Sequence, residues 1–455
     1  MFDVVIVGAG FSGLQAALTA QNAGLKVVVI EARDRVGGKV WSVPLASGRG
    51  VVDLGAAWVN DSMQKRIWAY TKKFDLKVVT QRLEGQAVML SQPDQRLTFP
   101  FGITPDFTAE EKKNLEMVRD HIQAESLKTG LPSKEQDSVT LDQYVRNLGA
   151  NQKTASMVNL WSQVMHGVES NEQSSAFFID YCRRNHGLLA IRADDKTGGQ
   201  YMRYQTGTMK IIENIAELVG RSNIYLSSPV ASIQDHQTHV SITTRTGHIY
   251  QGRKCIISLP STLYKDLNIS PPLPLRLQQI SNSTKLGDYN KAIVCYDRPW
   301  WRDSGYNGFF MSYNGPVNLA RDTSVDPARQ FSLTCFINGQ FGRDWSLLPP
   351  HERRRVVLTQ LAKVYACDPE SEVWKPIEFF EQIWMREEFS KGALVPVTAL
   401  GHLTGLADVY GKRVGNLHFV GTEFAREWKG YMEGALESGE RGAEEVVKAL
   451  GRSKL

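Results

Sequence analysis

The chain has 455 residues, of which 42% are hydrophobic and 22% charged, and a formal net charge of +5. That length exceeds one ordinary hydrophobic core, so two or more domains are expected, with the composition of a globular protein. The charge is spread along the chain, which excludes a nucleic-acid-binding tail, and no stretch approaches the ~18 uninterrupted apolar residues of a membrane span.

Cys182, Cys255, Cys295, Cys335 and Cys367 stand too far apart for a metal knuckle or a C-x-x-C pair, so no metal site is expected. They are odd in number and no secretory signal precedes them, which predicts free, buried thiols in a reducing compartment.

Residues 2–7 form a short β-branched apolar run, the pattern of a buried strand. It runs into Gly8-Ala9-Gly10-Phe11-Ser12-Gly13, which fits G-x-G-x-x-G. A helical pattern over 14–23 stops at Gly24, a second strand spans 25–30, and Glu31 ends it. Gly8 permits the tight turn, Gly10 lets a pyrophosphate approach the backbone, and Gly13 lets the helix pack on the strand. The helix N-terminus, with Ser12 in its first turn, offers N–H groups to phosphate. Glu31, about 20 residues on, suits ribose hydroxyls and would repel a 2′-phosphate. Arg33, Arg35 and the glycine pair Gly37-Gly38 before Lys39 extend this dinucleotide signature.

Further along, Asp53-Leu54-Gly55-Ala56-Ala57-Trp58 holds another small-residue turn, and 63–75 carries helical spacing. Residues 80–205 read as a helical, mixed insertion. It has turns at Gln92-Pro93-Asp94 and Gly130-Leu131-Pro132, a capped helix start at Thr108, and helices over 138–148 and 153–165. A helix over 207–220 follows, then strands at 224–226 and 229–233. A hairpin of 240–244 with 249–251 and a separate buried strand over 254–260 come next. His236 and His239, near the hairpin, read as solvated. Strands are predicted at 291–296, 331–338 and 379–385. A helix is predicted over 346–366, with 351–355 as a basic solvated face. Residues 417–423 read as strand and turn, before a last helix opening near Gly430 and ending near Leu450.

Three blocks, 4–58, 285–301 and 418–442, resemble the flavin monoamine oxidase family over nearly the whole chain. They include the E-A-R-x-R-x-G-G run, Tyr296-Asp297-Arg298-Pro299-Trp300-Trp301-Arg302, and Gly421-Thr422-Glu423 through Trp428-x-Gly430-Tyr431-Met432-Glu433-Gly434-Ala435. The resemblance implies an α/β Rossmann-type FAD-binding domain (1–79, 206–285, 392–455) interwoven with an α+β substrate domain (80–205, 286–391). It implies FAD bound by Gly8, Gly10, Ser12, Gly13 and Glu31, with Arg33, Gly38 and Lys39 along the pyrophosphate and ribityl chain. Val230 would face the adenine, and Ala56, Ala57, Trp58 and Trp384 would lie beside the flavin. Gly421, Thr422 and Glu423 would contact the ribityl–phosphate region, and the Met432 N–H would meet the flavin C2 carbonyl. Lys291 matches the family lysine that holds a water near N5 and serves reoxidation. Tyr431 matches one wall of an aromatic cage around the amine, Trp428 a neighbouring wall, and Gln200 a cavity glutamine. Spacing alone would make Lys291 a solvated strand-edge charge and Tyr431 a core tyrosine.

The sequence departs from the family in three places. Lys39 replaces the final Arg of the first block. In Ser390-Lys391-Gly392-Ala393-Leu394, Ala393 stands where covalent members have a flavin-linking cysteine, and Leu394 where they have the second cage aromatic. Non-covalent FAD and a half-open cage are therefore expected.

The expected reaction is oxidative deamination of a primary amine by O2, giving an aldehyde or ketone, ammonia and H2O2. Arg183, Arg184, Arg192, Lys196 and Arg203 make the insertion basic, which raises long-chain or carboxylated amines of the fumonisin type. The alternatives are a polyamine or L-amino acid oxidase, an FAD-dependent desaturase, or a non-enzymatic FAD scaffold. The terminal Ser453-Lys454-Leu455 matches the address read by a peroxisomal import receptor, so a peroxisomal location is expected, cytoplasmic otherwise. The sequence leaves the oligomeric state open, a homodimer included.

Overall fold

A computed structural model describes residues 1–91, 95–103 and 107–451. The terminal Ser453-Lys454-Leu455 and the turn at Gln92-Pro93-Asp94 lie outside the described residues.

The strand β1 (Phe2–Val7), the helix α1 (Phe11–Asn22) and the strand β2 (Val27–Ile30) form a parallel βαβ unit, with Val4 opposite Val27 and Val7 opposite Ile30. β1 pairs on its other side with the strand Ile249–Ile257, also in parallel. Its two central neighbours explain its all-apolar sequence, since a strand buried on both faces has no polar side to show.

Residues 249–257 correct the sequence expectation. The hairpin arm over 249–251 and the separate strand over 254–260 are one continuous strand ending at Ile257. Its first half pairs with Val240–Thr244, and its second half pairs in parallel with Leu417–Phe419. This brings the C-terminal segment back beside β1.

The last helix, Met432–Ala449, lies against α1 in a shared apolar core that includes Leu14, Ala17, Ala20, Leu436 and Val446. The approach is close enough that a Cβ on Gly439 would stand 2.2 Å from the Ser12 carbonyl oxygen.

A second, seven-stranded sheet has the order Glu378–Ile383, Tyr289–Tyr296, Phe331–Asn338, Leu319–Asp322, Tyr306–Ser312, Gln86–Leu90, Arg96–Pro100. The last two strands were not expected in the helical insertion. They pair antiparallel, Gln86 opposite Pro100, and add to the sheet's edge. The rest of the insertion is helical. Ala109–Ser126 starts at the expected capping box, in which Thr108 accepts from the Glu111 N–H and Glu111 accepts from the Thr108 N–H. Gln152–His166 and Ser175–Arg184 pack beside it through Val118, Ile122, Val158, Trp161, Phe177 and Phe178.

The helix expected over 346–366 is two helices, Gly339–Leu347 and Pro350–Tyr365. Pro350 takes the first helical position, where its missing N–H costs nothing, and the chain breaks before it. Arg353 also departs from the expected solvated face. It is buried, its Nε donates to Glu381, and a terminal nitrogen donates to the Leu348 carbonyl.

All five cysteines are free thiols and four are buried. The His236 and His239 rings stack 4.4 Å apart on the surface. Among the described residues no helix is long and apolar enough to cross a membrane, and no group of three or more His, Cys, Asp or Glu could hold a metal ion.

Candidate active site

Two cavities adjoin inside the fold. The first, of about 420 Å³, starts at the glycine turn between β1 and α1. Gly8 adopts φ +103°, a conformation side chains avoid, and a Cβ on it would meet the Ser258 carbonyl at 3.2 Å. A Cβ on Gly10 would find nothing nearer than 4.0 Å, so this backbone is open to the cavity. A Cβ on Gly13 would lie 1.9 Å from the Gly8 oxygen, and Gly13 lines neither cavity. It makes the packing of helix on strand possible. Gly10 caps α1 without a side-chain hydrogen bond, which leaves the helix N–H groups and their partial positive charge for an anion. Ser12 and Gly38 line the same end, with Val230 across from them.

Glu31 is buried at this end. One carboxylate oxygen accepts from the Ala9 N–H at 2.7 Å and the other from the Arg33 N–H at 2.9 Å. Each oxygen keeps a lone pair for a hydroxyl. An uncapped helix N-terminus, an open glycine backbone and a fixed acid along one long cavity fit the ADP half of FAD. Arg33 lines the cavity, but its Nε donates to Glu387 at 2.8 Å, so its charge is already neutralised.

At its far end the first cavity meets the second, of about 710 Å³. The two share Lys39, Ala56, Gly430, Tyr431 and Met432 as walls. Lys39 stands in the wall where the two cavities meet. Its buried ammonium donates to the Leu394 carbonyl at 2.6 Å, and burial pushes its pKa down to about 8. Gly421 also lines the first cavity. The Thr422 hydroxyl donates to the Tyr431 carbonyl at 2.9 Å and accepts from the Gly430 N–H at 2.7 Å, which fixes the loop that presents Tyr431. The buried Glu423 lines the same cavity, but its oxygens accept from the Ser261 N–H and hydroxyl and from Tyr410, and burial raises its pKa. It braces the loop. Met432 opens the last helix, which has no side-chain N-cap.

The second cavity carries the amine-side residues. The Lys291 ammonium donates to the Gly55 and Asp53 carbonyls, the latter at 3.1 Å, and lies over the Trp58 and Phe336 rings. Burial brings its pKa to about 8, against the opposing pull of Asp53. The strand-edge position does not leave this lysine solvated. Ala57, Trp58 and Trp384 line this cavity and not the first, and the Trp384 indole donates to the Leu54 carbonyl at 3.1 Å.

Tyr431 reaches in from the shared wall, with burial raising its pKa to about 12. The Gln200 amide stands 3.2 Å from its hydroxyl. With the amide nitrogen donating to the Ala193 and Ile191 carbonyls, the Gln200 oxygen accepts from Tyr431. Gly199 permits this approach, because a Cβ there would lie 3.0 Å from the tyrosine ring. Leu394 lines the cavity with φ +61°.

Trp428 is a correction. It is fully buried and lines neither cavity. Its ring stands edge-on to Tyr431 at 5.0 Å and its indole donates to the Met63 carbonyl, so it backs the tyrosine.

Nothing in the sequence pointed to the apolar walls Trp161, Phe309 and Met311, or to the buried ion pair of Asp194 with Arg321. These positions are far apart in sequence and meet only in the fold. Of the five basic residues noted in the insertion, Arg192 alone lines the cavity. Arg183 is held by the Glu125 and Gly130 carbonyls, Arg184 by Asp180, and Arg203 by the Thr323 and Ser324 carbonyls. Lys196 is exposed.

A dinucleotide cavity that opens at one end onto an apolar, tyrosine-walled pocket with a buried lysine defines a flavin-dependent oxidoreductase site for a small molecule. The chain belongs to the flavin containing amine oxidoreductase family, whose pattern matches residues 11–447. It is 31% identical over 469 aligned positions to a probable flavin-containing monoamine oxidase A of Dictyostelium discoideum, covering 100% of this chain and 99% of that protein. It is 30% identical over 461 positions to the flavin-containing amine oxidase B of Homo sapiens, covering 99% and 87%. Two solved structures share the fold at 24% identity. One is a putrescine oxidase bound to putrescine (TM-score 0.91, covering 98% of this chain and 99% of that one). The other is the cyclohexylamine oxidase of Brevibacterium oxydans IH-35A (TM-score 0.90, covering 99% and 100%). The protein is thus an FAD-dependent amine oxidase that acts on a small-molecule amine.

Proposed function

We propose that this enzyme converts a primary amine to an imine that hydrolyses to an aldehyde or ketone and ammonia, with O2 as the final acceptor and H2O2 as the product. The observation that carries this reading is the shared wall of the two cavities. Tyr431 and Met432 belong at once to the dinucleotide cavity and to the amine pocket, and Lys291 lines the pocket. FAD supplies the electron acceptor there. Tyr431, held by Gln200 and backed by Trp428, orients the amine nitrogen, and the apolar walls exclude water. The first residues of the last helix supply a positive dipole end to charge that develops on the cofactor. An amine that binds uncharged leaves no proton on nitrogen for a protein base to remove.

FAD is held without a covalent bond in this reading. Ala393 has no nucleophile, and none of the five cysteines lines either cavity.

For the substrate we favour a long-chain amine with a distal carboxylate, the class to which fumonisin-type amines belong. The long apolar pocket suits the chain. Arg192 lines the same pocket over the Trp161 ring at 4.3 Å, with no carboxylate partner among the described residues. Arg192 is exposed as well as pocket-lining, so its charge is open to a distal carboxylate on the substrate.

A panel of alkylamines, arylalkylamines, spermidine, an L-amino acid and a carboxylated long-chain amine, read as peroxide release from the purified yellow protein, tests the proposal. Highest kcat/KM for the carboxylated amine supports it. Equal values for plain and carboxylated amines remove the carboxylate preference, and silence on the whole panel removes the oxidase reading.

A further inference from the structure

One wall of the amine pocket is a face of the seven-stranded sheet. Lys291, Phe336, Leu319 and Met311 stand opposite one another across four neighbouring strands, and all four line the pocket. Arg321 lies two residues beyond Leu319 on the same strand, so alternation returns its side chain to this face. Two strand spacings and two residues separate it from Lys291, a backbone distance of roughly 12 Å. That places Arg321 away from an amine nitrogen near Lys291 and within reach of the far end of its chain.

Arg321 is buried, with its guanidinium over the Phe309 ring at 5.3 Å, and Nη1 donates to Asp194 Oδ2. Its Nε and Nη2 make no hydrogen bond among the described residues, yet neither is sealed off. The strand has a neighbour on each side, and the space beside Arg321 is the pocket. Asp194 shows the reverse. It is 3% exposed, one oxygen is taken by Arg321, and Oδ1 is enclosed without a partner. An open acid in an amine pocket would suit a second ammonium. Here the acid is closed off, and the pair turns the free edge of a guanidinium to the substrate. That edge, with two N–H groups side by side, matches a carboxylate bidentately.

We propose that Arg321, held in place by Asp194, is a specificity residue that binds a carboxylate at the far end of the amine substrate and rejects a second ammonium there. This rests on the carboxylated-amine reading, and it adds a receptor inside the pocket to the exposed Arg192. Asp194 is the positioning residue. Its one hydrogen bond fixes the guanidinium and leaves the Nε–Nη2 edge free.

The experiment measures peroxide release from wild type, an Arg321→Met, Asp194→Leu double variant and Arg321→Lys. The substrates are octylamine, the same chain with a terminal carboxylate, and the same chain with a second terminal amine. The double variant is used because Arg321→Met alone would strand a buried carboxylate, whereas replacing both ions by apolar groups is often neutral. Wild type should prefer the carboxylated amine to octylamine, and octylamine to the diamine. In the double variant the preference for the carboxylated amine, as a ratio of kcat/KM values, should fall about tenfold or more, and the diamine should gain on octylamine. Arg321→Lys, which keeps the charge and loses the fork, should lose part of the preference, and it carries the test if the double variant does not fold. Octanoate, which has no amine, is also titrated into each holoenzyme by calorimetry. Wild type should bind it about tenfold or more tightly than the double variant. A wild-type preference kept in both variants, or octanoate bound equally by all three proteins, overturns the role of Arg321 alone. A wild type that treats the three amines alike, or prefers the diamine, overturns the carboxylated-amine reading and this receptor together. Silence on every amine overturns the oxidase reading, and octanoate binding then decides for or against Arg321 by itself.

Discussion

The buried ammonium of Lys39 donates to the main-chain carbonyl of Leu394 across 2.6 Å, and Leu394 holds a left-handed φ of +61°. A non-glycine residue in that region costs about 1 kcal/mol or more, and a hydrogen bond from a charged donor returns about 1.5–3 kcal/mol. Lys39 thereby sets where Leu394 stands in the amine pocket. Lys39→Met should raise KM for amines about tenfold, with the flavin content of the purified protein largely kept. A colourless variant with unchanged KM after FAD is added back would return Lys39 to a purely cofactor-holding role.

Lys39 and Lys291 both have folded pKa values of about 8, against an ordinary 10.5. Between those values the unfolded chain binds more protons than the folded one, so these two groups make stability rise with pH through that window. The melting temperature of the cofactor-free protein should therefore climb between pH 8 and 10 relative to a Lys39→Met, Lys291→Met double variant. Parallel pH curves for the two proteins would show that neither lysine carries a depressed pKa.

Oxygen chemistry should follow the same group in the opposite sense. The Lys291 charge is lost as pH rises through about 8, so reoxidation of the reduced enzyme should decline above that pH. Lys291→Met should slow reoxidation about 100-fold or more at neutral pH, while reduction by the amine is spared. Stopped-flow measurement of the two half-reactions checks both statements. Equal losses in both halves would place Lys291 in amine binding.

Gly13→Ala should be among the most damaging single changes in the chain. The added carbon would sit 1.9 Å from the Gly8 oxygen, against backbone that cannot move without opening the glycine turn. Loss of soluble, yellow protein is expected. A well-folded variant with full flavin content would mean that α1 stands further from β1 than described.

Arg192→Met should lower kcat/KM for a carboxylated long-chain amine about 10- to 100-fold and leave a plain alkylamine of equal length unchanged. A uniform loss on both substrates would point to altered pocket shape.

The βαβ start and the last helix were legible because each carries its own local signature. Glycines sit at fixed offsets and an acid follows at the right distance in the first, and the run from Gly430 to Ala435 marks the start of the second. Gln86–Leu90 and Arg96–Pro100 were not legible, since the hairpin they form joins the sheet only through Tyr306–Ser312, more than 200 residues away. The same limit applied inside the site. The resemblance nominated Lys39 for the pyrophosphate and ribityl chain, and only the fold shows that its ammonium reaches the Leu394 carbonyl, 355 residues on. Trp428 sits close in sequence to Tyr431, and that closeness concealed that one ring lines the pocket and the other stands behind it. The basic residues of 183–203 looked equivalent in sequence, and only packing separated Arg192 from those already bound to carbonyls and acids.

The most direct test of the account is anaerobic addition of an amine to the yellow protein, followed by air. If the dinucleotide cavity and the amine pocket meet at Tyr431 and Met432 as described, the flavin absorbance should bleach without oxygen. It should then return on aeration, with one equivalent of peroxide per flavin. Protein that stays yellow with every amine, or that bleaches and does not recover in air, would contradict it.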